Sequence, residues 1–143
     1  LLGQNTIDTV PVQLPSSLGQ YRTNLIEIIK LCAGRQQRLV FLTQPTLYRE
    51  GMPRDLENLL WEHTETGAYT PGALATVLAA YNATLQSVCD EYGITCIDLA
   101  SKLRKDTSVF YDDCHFNLNG CNTIATILCE YIARDLRSPQ QDR

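Results

Sequence analysis

Leu39-Val40-Phe41-Leu42 is an unbroken apolar run, closed by Thr43-Gln44-Pro45 and flanked on both sides by segments with helical periodicity. A strand that is apolar on both faces must be covered on both, so this run predicts a buried parallel strand between helices. Upstream, Leu18, Tyr21, Leu25, Ile28, Ile29 and Cys32 recur at helical spacing, and Gly34 sits where that helix would stop. Downstream, Thr70-Pro71 offers an N-cap with proline at the first helical position. Leu74, Val77, Leu78, Tyr81, Leu85, Val88 and Tyr92 then form one face, and Gly93 ends the helix. Thr95-Cys96-Ile97-Asp98-Leu99 reads as the next strand, and a last helix is expected from about Leu118 to Leu136 with Ile124, Leu128, Tyr131 and Ile132 on its buried side. Strands alternating with helices imply an α/β fold whose parallel sheet is covered on both faces. In open sheets of this kind ligands bind beyond the carboxyl ends of the strands.

The length of 143 residues suits one domain with a single core. A net charge of −4 without a basic run argues against nucleic acid as a partner. No apolar stretch approaches the roughly 20 residues that span a bilayer, so no transmembrane segment is expected. Six cysteines, an even number, suggest disulfides and a secreted or otherwise extracytosolic setting. Cys89 with Cys96, and Cys114 with Cys121, are the locally plausible bridges; buried free thiols are the alternative. Cys114, His115 and Cys121 match none of the usual zinc spacings. Asn82-Ala83-Thr84 is a glycosylation sequon.

The stretch from Thr46 to Tyr69 is long, charged and without clear periodicity, and it carries Arg49, Glu50, Arg54, Trp61 and His63. Such an excursion is functional or hides a short helix, for which Asp55 to Trp61 is the candidate. It is expected either to overhang a site or to be a solvated loop anchored by Trp61. His63, between Glu62 and Glu65, reads as a surface residue.

Tyr111-Asp112-Asp113-Cys114-His115-Phe116-Asn117 places a carboxylate three residues before a histidine, where the last helix begins. A histidine acting as general base needs a partner that holds its tautomer and offsets the imidazolium charge, and a nearby carboxylate does both. One short turn would bring Asp112 and His115 together. Asp113 is expected to cap the following turn.

Phe116-Asn117-Leu118-Asn119-Gly120 follows at once, and Leu1-Leu2-Gly3-Gln4-Asn5 stands at the other end of the chain. Together these residues resemble the SGNH (GDSL-type) hydrolases, a family of serine esterases, lipases and carbohydrate deacetylases. That family carries four separated blocks: a Gly-Asp-Ser with the nucleophile, a lone glycine and a Gly-x-Asn that supply oxyanion donors, and an Asp-x-x-His with the acid and base. Asp112 and His115 match the last block and Gly3-Gln4-Asn5 the third, with Thr6 in place of the Asp that commonly follows. The first two blocks are absent.

The resemblance implies a three-layer α/β/α sandwich, flavodoxin-like and incomplete at its N-terminus, with residues 1–143 as the C-terminal portion of a single hydrolase domain. It implies His115 as the base, Asp112 as its orienter and Asn5 as an oxyanion donor, with no metal or organic cofactor required. None of Ser16, Ser17, Ser87, Ser101, Ser108 and Ser138 follows an apolar strand in a Gly-Asp-Ser context. Ser16 and Ser17 read as helix caps, and Ser87 falls mid-helix. The nucleophile is therefore expected on an upstream segment or a companion chain, this polypeptide alone being inactive. The expected chemistry is hydrolysis of an acyl or acetyl ester, on a carbohydrate, a lipid or a simple ester. Two other readings stand beside it: a binding or structural protein that keeps the scaffold without chemistry, and a divalent-metal site built on Asp112, Asp113 and His115.

Overall fold

A computed structural model of the protein describes residues 6–11, 13–60 and 68–137. Its elements in chain order are β1 (Thr6–Ile7), α1 (Leu14–Gly34), β2 (Val40–Leu42), α2 (Arg54–Glu57), β3 (Ala68–Tyr69), α3 (Pro71–Tyr92), β4 (Thr95–Ile97), α4 (Leu99–Lys102) and α5 (Leu118–Arg137). The fold is mixed α/β and mostly helical. Among the described residues the strands form two separate parallel pairs, β1 with β3 and β2 with β4. The apolar run does become a parallel strand, with Val40, Phe41 and Leu42 opposite Thr95, Cys96 and Ile97, but not the buried one expected: Val40 and Phe41 are half-buried and Leu42 is exposed. The expected α/β alternation is thus present. The described strands do not make one continuous sheet of a three-layer sandwich.

The helices follow from local chemistry. Thr70 caps α3, its hydroxyl accepting from the Ala73 N–H at 3.1 Å, with Pro71 next in line. The helix ends at Gly93, whose left-handed φ of 65° and ψ of 31° glycine adopts without a Cβ penalty. One detail of α1 corrects the sequence reading. It begins at Leu14, four residues before the first periodic position, so Ser16 lies inside the first turn and bonds back to the Gln13 carbonyl instead of capping. Its last residue is Gly34, as expected, and the left-handed conformation falls two residues later on Gln36, with φ of 55°. The Gln36 N–H bonds Ala33 O at 3.0 Å and the Gln37 N–H bonds Cys32 O at 2.9 Å, a complete Schellman pair of bonds closed by a residue with a Cβ.

Two apolar clusters organise the packing. Leu25 and Ile29 of α1 meet Leu85, Val88 and Cys89 of α3, and Phe41 and Cys96 of the β2–β4 pair pack against them. Leu47, Met52, Leu56, Leu103, Val109 and Phe110 form the second cluster, which Phe116, Ile124 and Ile127 cover. Ile132, expected on the buried side of α5, is instead about half exposed (52%). Among the described residues no helix is long and apolar enough to cross a membrane.

All six cysteines are free thiols, so neither expected bridge is formed. Cys89 and Cys96 are nonetheless neighbours, Cys96 packing against the α1–α3 cluster that holds Cys89. Burial, with Cys96 alongside, pushes the Cys89 thiol up to about 12. Cys121 points to the Phe116 carbonyl and Cys114 to His115, so those two sulfurs have different neighbours.

At the carboxyl ends of β2 and β4 a polar staple holds the rim together. Buried Thr43 donates its hydroxyl to Asp98 Oδ1 at 2.7 Å and accepts from the Ala100 N–H at 2.9 Å, while the Thr43 N–H bonds Ile97 O at 3.1 Å. Burial by itself would push the Asp98 carboxyl up, but the Ser101 N–H, which donates to Oδ1 at 3.3 Å, and the Thr43 hydroxyl outweigh it and hold the carboxyl below its usual range. Asn82 of α3 grips the same loop from the other side: its Oδ1 accepts from the Gln44 N–H at 2.8 Å and its Nδ2 donates to Gln44 O at 2.9 Å. The sequon asparagine is therefore engaged at both amide atoms, and a glycan would replace one of the two N–H groups of the nitrogen that holds Gln44 O.

Candidate active site

The Asp-x-x-His segment is the tip of a tight loop whose two legs are fixed. Phe110 and Phe116 form an antiparallel bridge, their ring centroids 5.1 Å apart, and the Tyr111 N–H bonds His115 O at 3.2 Å. The base of the loop is set by α5. Asn117 caps that helix by accepting the Gly120 N–H at 2.9 Å, and its own N–H bonds Val109 O at 2.9 Å. Gly120 has no room for a side chain, since a Cβ would lie 2.3 Å from Val109 O.

Within this frame Asp112 collects four bonds. Its Oδ1 accepts the backbone N–H groups of Cys114 at 3.0 Å and His115 at 2.7 Å. The imidazole Nδ1 lies 2.8 Å from Oδ2 and 3.1 Å from Oδ1. An ionised carboxylate only accepts, so Nδ1 carries a proton, and in the neutral ring Nε2 is the nitrogen with the lone pair. The expected pair is formed. Asp112 is 3% exposed, whereas the His115 side chain is 64% exposed. Burial by itself would push the Asp112 carboxyl up; the two backbone N–H groups and the imidazole outweigh it and hold the carboxyl below its ordinary range. An anchored carboxylate behind an accessible imidazole is the arrangement of a base and its orienter.

Three residues that the sequence reading did not single out complete the surroundings. Tyr111 stacks on His115 with centroids 5.7 Å apart and planes 12° from parallel. Tyr48 donates its hydroxyl to Asp113 Oδ2 at 2.7 Å, and the Leu47 N–H bonds Asp113 O at 2.9 Å. Lys105 Nζ donates to the Tyr48 carbonyl at 2.9 Å. Asp113 was expected to cap the following turn; Asp112 does that, and Asp113 is turned inward to Tyr48. An acidic doublet in which only one carboxylate can serve the histidine was the sole sequence signal that the other needs a buried partner.

Asp112, Asp113, Cys114 and His115 place possible ligand atoms within 4.8 Å of one another. Those atoms are engaged among themselves and with Tyr48: both Asp112 oxygens face His115 Nδ1, and Cys114 Sγ lies 3.7 Å from that nitrogen. Among the described residues no serine hydroxyl bonds His115: Ser16 bonds Gln13 O, Ser101 bonds Asp98 O and Ser108 bonds Asp106. Asn5, with Gly3, Trp61, His63 and Ser138, lies outside the described residues. Comparison of the chain with family models, curated proteins and solved structures gives no match.

Proposed function

We propose that this protein is a serine esterase of the SGNH (GDSL) type, in which Asp112 and His115 supply the acid and base and the nucleophilic serine lies outside these 143 residues. The observation that carries the reading is the 2.8 Å bond from His115 Nδ1 to a buried carboxylate, with the opposite side of the ring exposed. In this chemistry Nε2 takes the proton of the serine hydroxyl as its oxygen attacks the ester carbonyl, and the leaving alcohol takes it back. Water then repeats the cycle on the acyl-enzyme and releases the acid. Asp112 keeps Nδ1 protonated throughout and offsets the imidazolium charge. Asn5, by the family resemblance, donates its side-chain N–H to the tetrahedral oxyanion, an interaction typically worth about 2.7–4 kcal/mol. The substrate is an acyl or acetyl ester, on a carbohydrate, a lipid or a simple alcohol.

The absence of a serine bonded to His115 among the described residues favours a second reading, a non-catalytic binding protein on the same scaffold. Hydrolysis of p-nitrophenyl acetate separates the two. The protein with its upstream segment should turn over the ester, its His115→Ala variant should lose several orders of magnitude, and the 143-residue chain alone should be inactive. Equal activity in parent and variant would sink the assignment of His115, and no activity in the longer protein would favour the binding reading.

A further inference from the structure

Cys114 belongs to the Asp112–His115 turn, yet the base-and-orienter reading makes no use of its sulfur. Its Sγ lies 3.7 Å from His115 Nδ1, the nitrogen that Asp112 Oδ2 faces at 2.8 Å and Oδ1 at 3.1 Å. Together with an oxygen of Asp113, these donor atoms all fall within 4.8 Å of one another. A thiol, an imidazole nitrogen and a carboxylate thus converge on one small volume.

That volume has the dimensions of a metal site. Zinc binds thiolate at about 2.3 Å, imidazole at about 2.0–2.1 Å and carboxylate at about 2.0–2.2 Å, close to tetrahedrally. Those lengths put neighbouring ligand atoms about 3.3–3.6 Å apart. The Sγ–Nδ1 separation of 3.7 Å and the Nδ1–Oδ1 separation of 3.1 Å each lie within a few tenths of an ångström of that range.

Access and chemistry agree with size. The His115 side chain is exposed and Cys114 half-buried, so an ion reaches the turn from solvent, while Asp112 is anchored behind them. Mixed sulfur, nitrogen and oxygen donors suit a cation of the zinc class and not magnesium or calcium, which take oxygen ligands. The three ligands come from one turn and leave a fourth position open, unlike the closed four-ligand zinc sites that hold folds together.

We propose that Asp112, Cys114 and His115 form a site for one divalent cation of the zinc class, and that its occupancy switches His115 off as a base. The cation takes the Nδ1 lone pair and the Cys114 thiolate. The thiol proton goes to solvent, and the imidazole proton moves from Nδ1 to Nε2. Nε2 then donates and no longer accepts, so it cannot take the proton of an attacking hydroxyl. Cation binding is independent of the esterase reading; the inhibition rests on it.

The test is titration of the protein with cobalt(II) under a phosphine reductant, followed by thiolate-to-cobalt charge-transfer absorption. A saturable band should appear, which zinc(II) displaces and magnesium does not. Cys114→Ser should remove the band, whereas Cys121→Ser should retain it. His115→Gln should weaken the apparent affinity about a hundredfold or more, beyond the roughly 10–100-fold typical of groups that only orient a ligand. Asp112 is left in place because it anchors the turn. No band in the parent, or a band that persists in Cys114→Ser, would overturn the site. Hydrolysis of p-nitrophenyl acetate by the protein with its upstream segment is the second arm. Zinc(II) should inhibit it, EDTA should restore it, and Cys114→Ser should lose the sensitivity to zinc. Hydrolysis unchanged by saturating zinc(II) would overturn the switch. Cobalt binding without any hydrolysis would leave the site standing and count against the esterase reading, whereas hydrolysis without a cobalt band would remove the site alone.

Discussion

Tyr48 and Asp113 are joined by a 2.7 Å hydrogen bond inside the protein, with 4% and 5% of their surfaces exposed. That bond couples the loop after β2 to the turn that carries His115, and the Leu47 N–H on Asp113 O doubles it. Asp113 is the immediate neighbour of Asp112, so the inward pull on one carboxylate fixes which way the other faces. Lys105 holds the far side of the same joint through the Tyr48 carbonyl. The orientation of Asp112 and His115 thus rests on residues more than sixty positions upstream.

Tyr48→Phe should therefore destabilise the fold by about 1–3 kcal/mol, the cost of leaving a buried carboxylate without its donor. Urea denaturation followed by fluorescence reads it directly. An unchanged midpoint would mean that Asp113 is solvated in solution.

Gly120→Ala separates two opposed effects. Helix propensity alone favours alanine by roughly 0.8–1.0 kcal/mol. A Cβ would, however, lie 2.3 Å from the Val109 carbonyl oxygen, and backbone would have to move. The steric effect should win and lower stability by about 1–3 kcal/mol, the usual range for overpacking. A more stable variant would show that α5 does not approach Val109 so closely.

Gln36→Gly should act in the opposite direction. Gln36 holds a left-handed φ of 55° at the end of α1, and its Cβ makes that conformation costly. Glycine removes the strain but loses more unfolded-state freedom, leaving a net gain of about 0.5–1 kcal/mol. Thermal melting of the two proteins side by side decides the sign.

Stability should fall on the acid side, and the sign follows from the direction of the shifts. Asp112, Asp98 and Asp106 are all held below the ordinary carboxylate range. A depressed folded-state value contributes stability in full above the unfolded value of about 3.9 and loses it as pH falls through the folded value. Urea midpoints measured from neutral pH down to about pH 3 should decline below pH 4–5. Asp112→Asn should flatten that decline in part, with Asp98 and Asp106 carrying the rest. A variant with the parent's full slope would remove Asp112 from the account.

Thiol labelling tests the six free cysteines. Cys121 and Cys129 are exposed on α5, and Cys89 is buried with its thiol pushed up to about 12. Native iodoacetamide treatment near neutral pH should modify the first two at least about a hundredfold faster than Cys89, because the thiolate is the reacting form. Recovery of a Cys89–Cys96 or Cys114–Cys121 disulfide by non-reducing peptide mapping would contradict the free-thiol arrangement.

The elements that could be read from the sequence are those whose causes are local. The β2 run, the Thr70-Pro71 start of α3, its end at Gly93 and the Asp112–His115 spacing each depend on a few consecutive residues, whose sterics and hydrogen bonds act within a turn or two. The α1 start was missed because the helix begins four residues before its first periodic apolar position, and the left-handed conformation beyond its Gly34 end falls on Gln36, against local preference. The cysteines misled for a related reason: sequence proximity suggested bridges, but Cys114 and Cys121 look toward different partners once the loop is folded. The pairing of Tyr48 with Asp113, the stacking of Tyr111 on His115 and the approach of Gly120 to Val109 were decided by tertiary structure alone. Each of these is a contact between surfaces set by how whole elements pack, and a buried donor finds its acceptor only when both have been carried out of water to the same place.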